Sequence, residues 1–296
     1  MEKQYRFSKE NYFGTLIKRS DFILKLKDYI PTFLLNPLRR CNGRMIKAKT
    51  VTKYKLDALI HSDKAIYKCP CCNMKLCEFV SGGFDQQPTF FNPKRYENTK
   101  QEVLCPVCFS LPRHRILASW CETHKDELTG NLLYFAPENG MIRWLNRNKI
   151  KYTTADLFAP ADLKLDIENT SQLNESWDII ICNHVLEHVN DYQKALIEIY
   201  RILKSGGIFI CSFPILENLK TLIEEKEHTE ENKAKRLELY GQADHLRIFG
   251  SDSDELLRQA GFIVSRIDGN NMPDSILPII GPADYDVNYL FCCRKP

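Results

Sequence analysis

The stretch Trp177–Pro214, WDIIICNHVLEHVNDYQKALIEIYRILKSGGIFICSFP, decides the fold. WDIIICNHV is a short apolar run of the kind a buried strand makes, and DYQKALIEIYRIL carries its apolar residues at helical spacing. GGIFICSFP is a second apolar run that starts from a glycine turn. Strand, helix and strand in that order build a parallel pair.

The same rhythm extends outward in both directions. Upstream, NLLYFAP reads as a strand, GMIRWLNRN as a helix and KYTTADLF as a strand. Downstream, TLIEEKEHTEENKAKRLELYG is a charged, helix-prone insertion, DSDELLRQAGF is a helix and VNYLFCCRK is a closing strand. The alternation predicts an α/β fold: a doubly wound, Rossmann-like sheet with helices on both faces.

Before that domain the chain changes character twice. Residues 1–60 form a basic extension, expected to be helical, in which Pro31 and Pro37 favour two short helices over one long one. Residues 61–118 are rich in cysteine and turns, and residues 119–296 hold the alternating domain. The extension holds 14 Lys/Arg against 5 Asp/Glu, whereas the whole chain of 296 residues holds 41 against 38. Such an arm could meet phosphate, an anionic membrane face or an acidic surface of its own protein. Packing onto the main domain accounts for its pattern at least as well. No apolar run is long enough to cross a bilayer, and MEKQYRFSKE lacks a signal-peptide pattern. A cytoplasmic protein is therefore expected.

Twelve cysteines would suit a disulfide scaffold only in a much shorter chain. Here CPCC pairs Cys69 with Cys72, CPVC pairs Cys105 with Cys108, and 32 residues separate the pairs. Two such knuckles present four thiolates, the donor set of a closed tetrahedral Zn²⁺ site. Four thiolates leave no open coordination position, so the zinc would be structural. Cys71 and Cys77 complicate the assignment: Cys77 could replace a ligand, and Cys71 is expected to point away. Cys182, Cys211, Cys292 and Cys293 lie in core strands and read as free buried thiols.

A doubly wound sheet binds its cofactor at the carboxyl ends of adjacent strands. Asp156 closes the second strand, 18 residues after Glu138, near the separation expected of an acidic residue that accepts ribose hydroxyls. The first turn, FAPENG, is unusual. A dinucleotide needs backbone N–H groups on its pyrophosphate, but Pro137 has none and Glu138 would repel it. These residues suit a cationic cofactor without phosphate that carries an amino acid group, S-adenosylmethionine.

From Asn131 to the C-terminus the chain resembles the class I S-adenosylmethionine-dependent methyltransferases that share HVLEHV, here His184–Val189. CPVCFSLPRHR, YFAPENG and YGQADHLRIFG together resemble a bacterial subgroup of that family, of the methyltransferase type 11 kind, with an N-terminal CPxC…CPxC zinc ribbon. In most relatives an acidic residue ends the first strand and glycines follow. Here Tyr134 takes the acidic place, and Ala136 and Glu138 stand where the first two glycines would be. The resemblance implies that Glu138 receives the ammonium of the methionine moiety. It also implies that Asp166 and Ile167 lie beside adenine, and that Asn183 and His184 approach the sulfonium. The implied cofactor contacts are Phe135, Ala136, Pro137, Glu138, Gly140, Asp156, Leu157, Asp166, Ile167, Asn183 and His184. Asp166 could instead merely cap a turn, and His188 reads as a helix-packing residue.

Methyl transfer is an in-line displacement that needs alignment and exclusion of water, and a base only when the nucleophile is protonated. His184 and His245 are the candidate bases, and Arg247 is a candidate substrate anchor. Arg247 could equally form a salt bridge to a neighbour such as Asp244. Arg113, His114 and Arg115 follow the second knuckle and would either meet nucleic-acid phosphates or clamp the ribbon to the sheet domain.

The leading expectation is a methyltransferase with a small-molecule or glycan-precursor acceptor, O-methylation and a structural zinc. The alternatives are an RNA methyltransferase, whose ribbon and basic arm hold the nucleic acid, and a non-catalytic module that binds S-adenosylmethionine or zinc.

Overall fold

The computed structural model describes residue 49 and residues 51–82, 101–227, 229–240, 242–272, 285–286 and 289–296. The expected helical arm thus lies largely outside the described residues, although residues 51–60 are helical. Two short antiparallel ladders come first: β1 (Tyr67–Lys68) with β2 (Lys75–Leu76), and β3 (Val80–Gly82) with β4 (Gln101–Leu104). A helix, Pro112–Thr123, leads into the main sheet.

Six strands form that sheet: β5 (Leu132–Phe135), β6 (Thr153–Ala155), β7 (Trp177–Asn183), β8 (Leu203–Ser212), β12 (Ile263–Asp268) and β14 (Tyr289–Arg294). Their spatial order is β12-β14-β8-β7-β5-β6. β5 pairs in parallel with β6 on one side and β7 on the other, and β7 pairs in parallel with β8. β14 runs antiparallel to both β8 and β12. β5 is therefore where the winding reverses, and its carboxyl end opens a crevice against that of β7. The short strands β9 (Ile215–Leu216), β10 (Ile223–Glu224), β11 (Arg247–Ile248) and β13 (Tyr285–Asp286) lie outside this sheet, in the pairs β13-β9 and β10-β11.

Alternation along β5 and β7 sends side chains into two apolar layers. Leu133, Phe135, Ile180 and Cys182 pack with Leu196 and Ile199 of the helix Tyr192–Ile202. Leu132, Tyr134, Ile179 and Ile181 pack on the other face with Trp120 and Trp144. Cys69, Cys71, Cys105 and Cys108 belong to that second layer. The cysteine module and the sheet share one core, and the expected boundary after residue 118 falls inside the continuous helix Pro112–Thr123.

The predicted elements are present with shifted ends. β6 stops at Ala155, so Asp156 stands just beyond it, and β8 begins at Leu203, ahead of its glycines. The insertion carries the helix Glu230–Tyr240. β12 has no counterpart in the sequence reading, because Ile-Val-Ser-Arg-Ile-Asp mixes polar residues into an edge strand that is only part-buried. No helix among the described residues is long and apolar enough to cross a membrane.

Gly207 marks a tight point in this frame. A Cβ there would lie 2.8 Å from the Lys204 carbonyl oxygen and 2.9 Å from that of Asp178. Backbone cannot swing aside as a side chain can, so Gly207→Ala should cost about 1–3 kcal/mol. The measurement is urea unfolding followed by circular dichroism.

Candidate functional site at the carboxyl ends of the strands

The ends of β5 and β7 both carry left-handed residues with side chains, Ala136 at φ 46° and His184 at φ 51°. Glycine adopts such angles freely, whereas other L-residues do so at a cost of about 1 kcal/mol or more. The FAPE loop thus keeps a conformation that glycine would supply. His184 is held by its N–H, which donates to the Ser212 carbonyl at 2.8 Å across the end of the sheet. Beside it the Ser212 hydroxyl donates to Asn183 Oδ1 at 3.1 Å, and Asn183 Nδ2 is buried without a partner.

Glu138 caps the start of the helix Asn139–Arg147, where a negative charge is favoured. Arg113 Nε and Nη2 reach its Oε1 at 3.1 and 2.8 Å, and His114 Nε2 lies 2.5 Å from the same oxygen. The Leu111 N–H donates to His114 Nδ1, so the proton of the neutral ring sits on Nε2, facing Glu138. Burial alone would raise the Glu138 pKa. The Arg113 charge and the hydrogen bond from His114 outweigh it and hold the carboxyl well below its ordinary range. Its other oxygen, Oε2, is buried and has no hydrogen-bond partner. Tyr134, in the place of the usual acidic residue, accepts the Glu138 N–H on its hydroxyl at 3.2 Å.

The remaining sequence-predicted residues divide clearly. Asp156 Oδ1 accepts the N–H groups of Phe158 and Ala159, each at 2.7 Å, which shapes the loop after β6 around exposed Leu157 and Phe158. Asp166 accepts the Glu168 N–H at 2.9 Å and caps a turn, while Ile167 is buried in the core. Phe135 is buried there too, and Pro137 lies part-exposed in the loop. At Gly140 an added Cβ would meet Ser110 Cβ at 3.1 Å and His114 Nδ1 at 3.3 Å. The glycine admits the start of the helix Pro112–Thr123.

Beside His184 the HVLEHV turn gathers a second group. Glu187 is fully buried, with His184 Nδ1 at 3.2 Å and His188 Nε2 at 4.0 Å from its Oε1. Burial would raise the Glu187 pKa, but its hydrogen bond to His184 and the neighbouring imidazoles take it down to about 2. His245 comes from the loop before β11 and meets the His188 ring edge-on at 4.7 Å between centroids. Burial pushes the His245 pKa well below its ordinary value, so it is neutral near pH 7. His188 sits in the turn and not on a helix, and its Nδ1 lies 3.2 Å from the Asp244 carbonyl oxygen.

Arg247 departs from expectation. It is fully buried, with Nε donating to Glu224 at 2.7 Å and Nη1 to the carbonyls of Leu186 and Val189 at 2.5 and 2.6 Å. Its Nη2 donates to the Asn190 carbonyl at 3.0 Å. The guanidinium faces protein acceptors on all sides, so Arg247 is a structural tie and not a substrate anchor; its ion-pair partner is Glu224, not Asp244.

On the far side of the helix Pro112–Thr123 the four knuckle sulfurs converge. Cys69 and Cys108 lie 3.6 Å apart, Cys72 and Cys105 3.9 Å apart, and all four fall within 4.8 Å of one another. A tetrahedron with metal–sulfur bonds of about 2.3 Å has edges of about 3.8 Å. Cys71 turns away and donates to the His114 carbonyl, and Cys77 points to the carbonyls of Asp57 and His61. Arg115 is fully buried, donates to the Ser110 carbonyl at 2.9 Å and lies over the Phe79 ring.

Residues 127–211, which include β5, β6, β7 and β8, match a family model described as a methyltransferase domain. Both strand ends described above, Ala136–Glu138 and His184–His188, fall within residues 127–211. Solved structures with a similar chain course include a Haemonchus contortus phosphoethanolamine N-methyltransferase 2 in complex with phosphomonomethylethanolamine and S-adenosylhomocysteine. It is 12% identical, with a TM-score of 0.43, over 62% of this chain and 53% of that one. A Thermotoga maritima methyltransferase, described as a possible histamine N-methyltransferase, is 20% identical with a TM-score of 0.37, over 62% and 98% of the two chains. A Burkholderia thailandensis 1,6-didemethyltoxoflavin N1-methyltransferase is 17% identical with a TM-score of 0.42, over 62% and 78%. The chain spans about half the length of the first of these. No curated protein matches it.

The pairing of Arg113 and His114 with Glu138, and the role of Glu187, escaped sequence reasoning. Arg113 and His114 were read as nucleic-acid contacts or as a clamp on the sheet domain, but nothing linear names Glu138, 25 and 24 residues on, as their partner. Glu187 was passed over inside HVLEHV, although the histidines flanking it at His184 and His188 were a signal. Arg247→Ala should lower stability by about 3 kcal/mol, because it strands the Glu224 carboxylate and three carbonyls. Thermal and urea unfolding would register the loss, and Arg247→Lys should recover little of it.

Proposed function

We propose that the chain is an S-adenosylmethionine-dependent methyltransferase with a small-molecule or glycan-precursor acceptor, O-methylation as its reaction and a structural zinc on Cys69, Cys72, Cys105 and Cys108. The observation that carries the reading is the half-satisfied carboxylate of Glu138. One oxygen is held by Arg113 and His114, and the other is buried without a partner at the carboxyl end of β5. A buried carboxylate oxygen in that state fits a cationic donor group such as the ammonium of the methionine moiety. The methyltransferase-domain match over the same strands supports it.

When bound, the cofactor supplies a methyl group made electrophilic by its sulfonium. The chain supplies placement. Glu138 holds the amino acid end, and Asp156 offers Oδ2 to the ribose while Oδ1 keeps the loop in shape. His184, fixed by Ser212 and by Glu187, presents a buried Nε2 without a hydrogen-bond partner at the end of β7. There it can take the proton of an acceptor hydroxyl. The RNA reading has less behind it, since Arg115 is buried and Arg113 and His114 turn inward to Glu138.

Asp156→Asn keeps the acceptor that Phe158 and Ala159 use and removes the charge opposite the ribose. It should leave the thermal midpoint in place and weaken S-adenosylmethionine and S-adenosylhomocysteine binding about tenfold in calorimetry. Unchanged affinity would remove Asp156 from the site, and no affinity for either compound in the wild type would end the reading. After dialysis against a chelator the protein should retain about one zinc per chain, lost in Cys105→Ser together with thermal stability.

A further inference from the structure

We propose that Glu187, His188 and His245 form a second metal site, which binds a first-row divalent cation. One donor atom from each of the three lies within 4.8 Å of the others. Metal–ligand bonds of about 2.0–2.2 Å place ligand atoms roughly 3–4 Å apart, so closure needs only a small inward shift. The topology makes this meeting specific. Glu187 and His188 sit on the turn that ends β7, and His245 arrives from beyond the charged insertion. The Leu246 N–H donates to the Glu187 carbonyl at 2.8 Å and Arg247 grips the carbonyls of Leu186 and Val189, so both sides are fastened.

Three further observations favour a cation over a closed hydrogen-bond network. Glu187 is fully buried, yet its Oε1 has only His184 Nδ1 near it as a donor, at 3.2 Å, and its Oε2 has no hydrogen-bond partner. Among the described residues no lysine or arginine forms an ion pair with it. A buried carboxylate left in that state is costly. His245 Nδ1 is likewise buried and without a partner. His188 is oriented as metal-bound histidines are, with Nδ1 on the Asp244 carbonyl oxygen and Nε2 turned towards Glu187.

Two imidazoles and a carboxylate suit Mn²⁺, Fe²⁺, Co²⁺ or Zn²⁺, whereas the softer thiolate cluster is a separate site. Three protein ligands leave coordination positions open. Those positions adjoin His184, and an acceptor oxygen could fill one, a role that rests on the methyltransferase reading. The binding claim does not, and it is tested without S-adenosylmethionine.

The test uses the full chain, dialysed against a chelator until only thiolate-held zinc remains, and titrated with Mn²⁺ by calorimetry and by loss of the free-ion paramagnetic resonance signal. One Mn²⁺ should bind per chain. Glu187→Gln and His245→Gln should each weaken it at least about tenfold, with thiolate zinc and thermal midpoint unchanged. In the wild type the bound Mn²⁺ should show hyperfine coupling to two imidazole nitrogens, a readout that stands even if a variant misfolds. Failure to bind at millimolar Mn²⁺, bound Mn²⁺ without nitrogen coupling, or undiminished affinity in folded variants would each overturn the site.

Discussion

The contact of Arg113 and His114 with Glu138 holds the rest of the site together. A carboxylate at that depth could not stay ionised in an apolar setting on its own. Two donors from the helix Pro112–Thr123 compensate one oxygen and leave the other open. That helix begins directly after the second cysteine knuckle, and Ser110 just before it and His114 within it press on Gly140. The cysteine module therefore does more than decorate the sheet. It supplies the positive side of the pair that keeps the first loop charged and in place.

The sheet and the loops answer to different physical demands. Strand order, parallel pairing and two apolar layers place β5 and β7 side by side. Strain at Ala136 and His184 then turns the chain sharply away from both strands, and hydrogen bonds across the sheet end fix that turn. Residues with side chains in left-handed conformations persist only where their surroundings over-determine them. Here the surroundings are Ser212 on one side and the Glu138 contacts on the other.

How much of this could be read from the linear chain depended on the range of the interaction. The apolar runs of β5, β7 and β8 and the helix Tyr192–Ile202 follow local periodicity, so their presence was legible while their ends drifted by a few residues. β12 was not, because an edge strand need not alternate cleanly. The paired knuckles were legible because of their spacing, and the turn of Cys71 away from the other sulfurs followed from its place inside a knuckle. Arg247 was misjudged: an arginine beside a histidine in a loop looks like a ligand anchor, and only the folded chain reveals the carbonyls that surround it.

Arg247 also fixes how the crevice can open. Its guanidinium joins the turn after β7 to the strand that follows the insertion, through four acceptors in the protein interior. The two segments that carry Glu187 and His245 thus travel as a single rigid wall, with no hinge between them. The opposite flank ends in the exposed rim of Leu157 and Phe158, on a loop fastened by Asp156 Oδ1 at its start and by the bonds between Asp162 and Thr154 at its end.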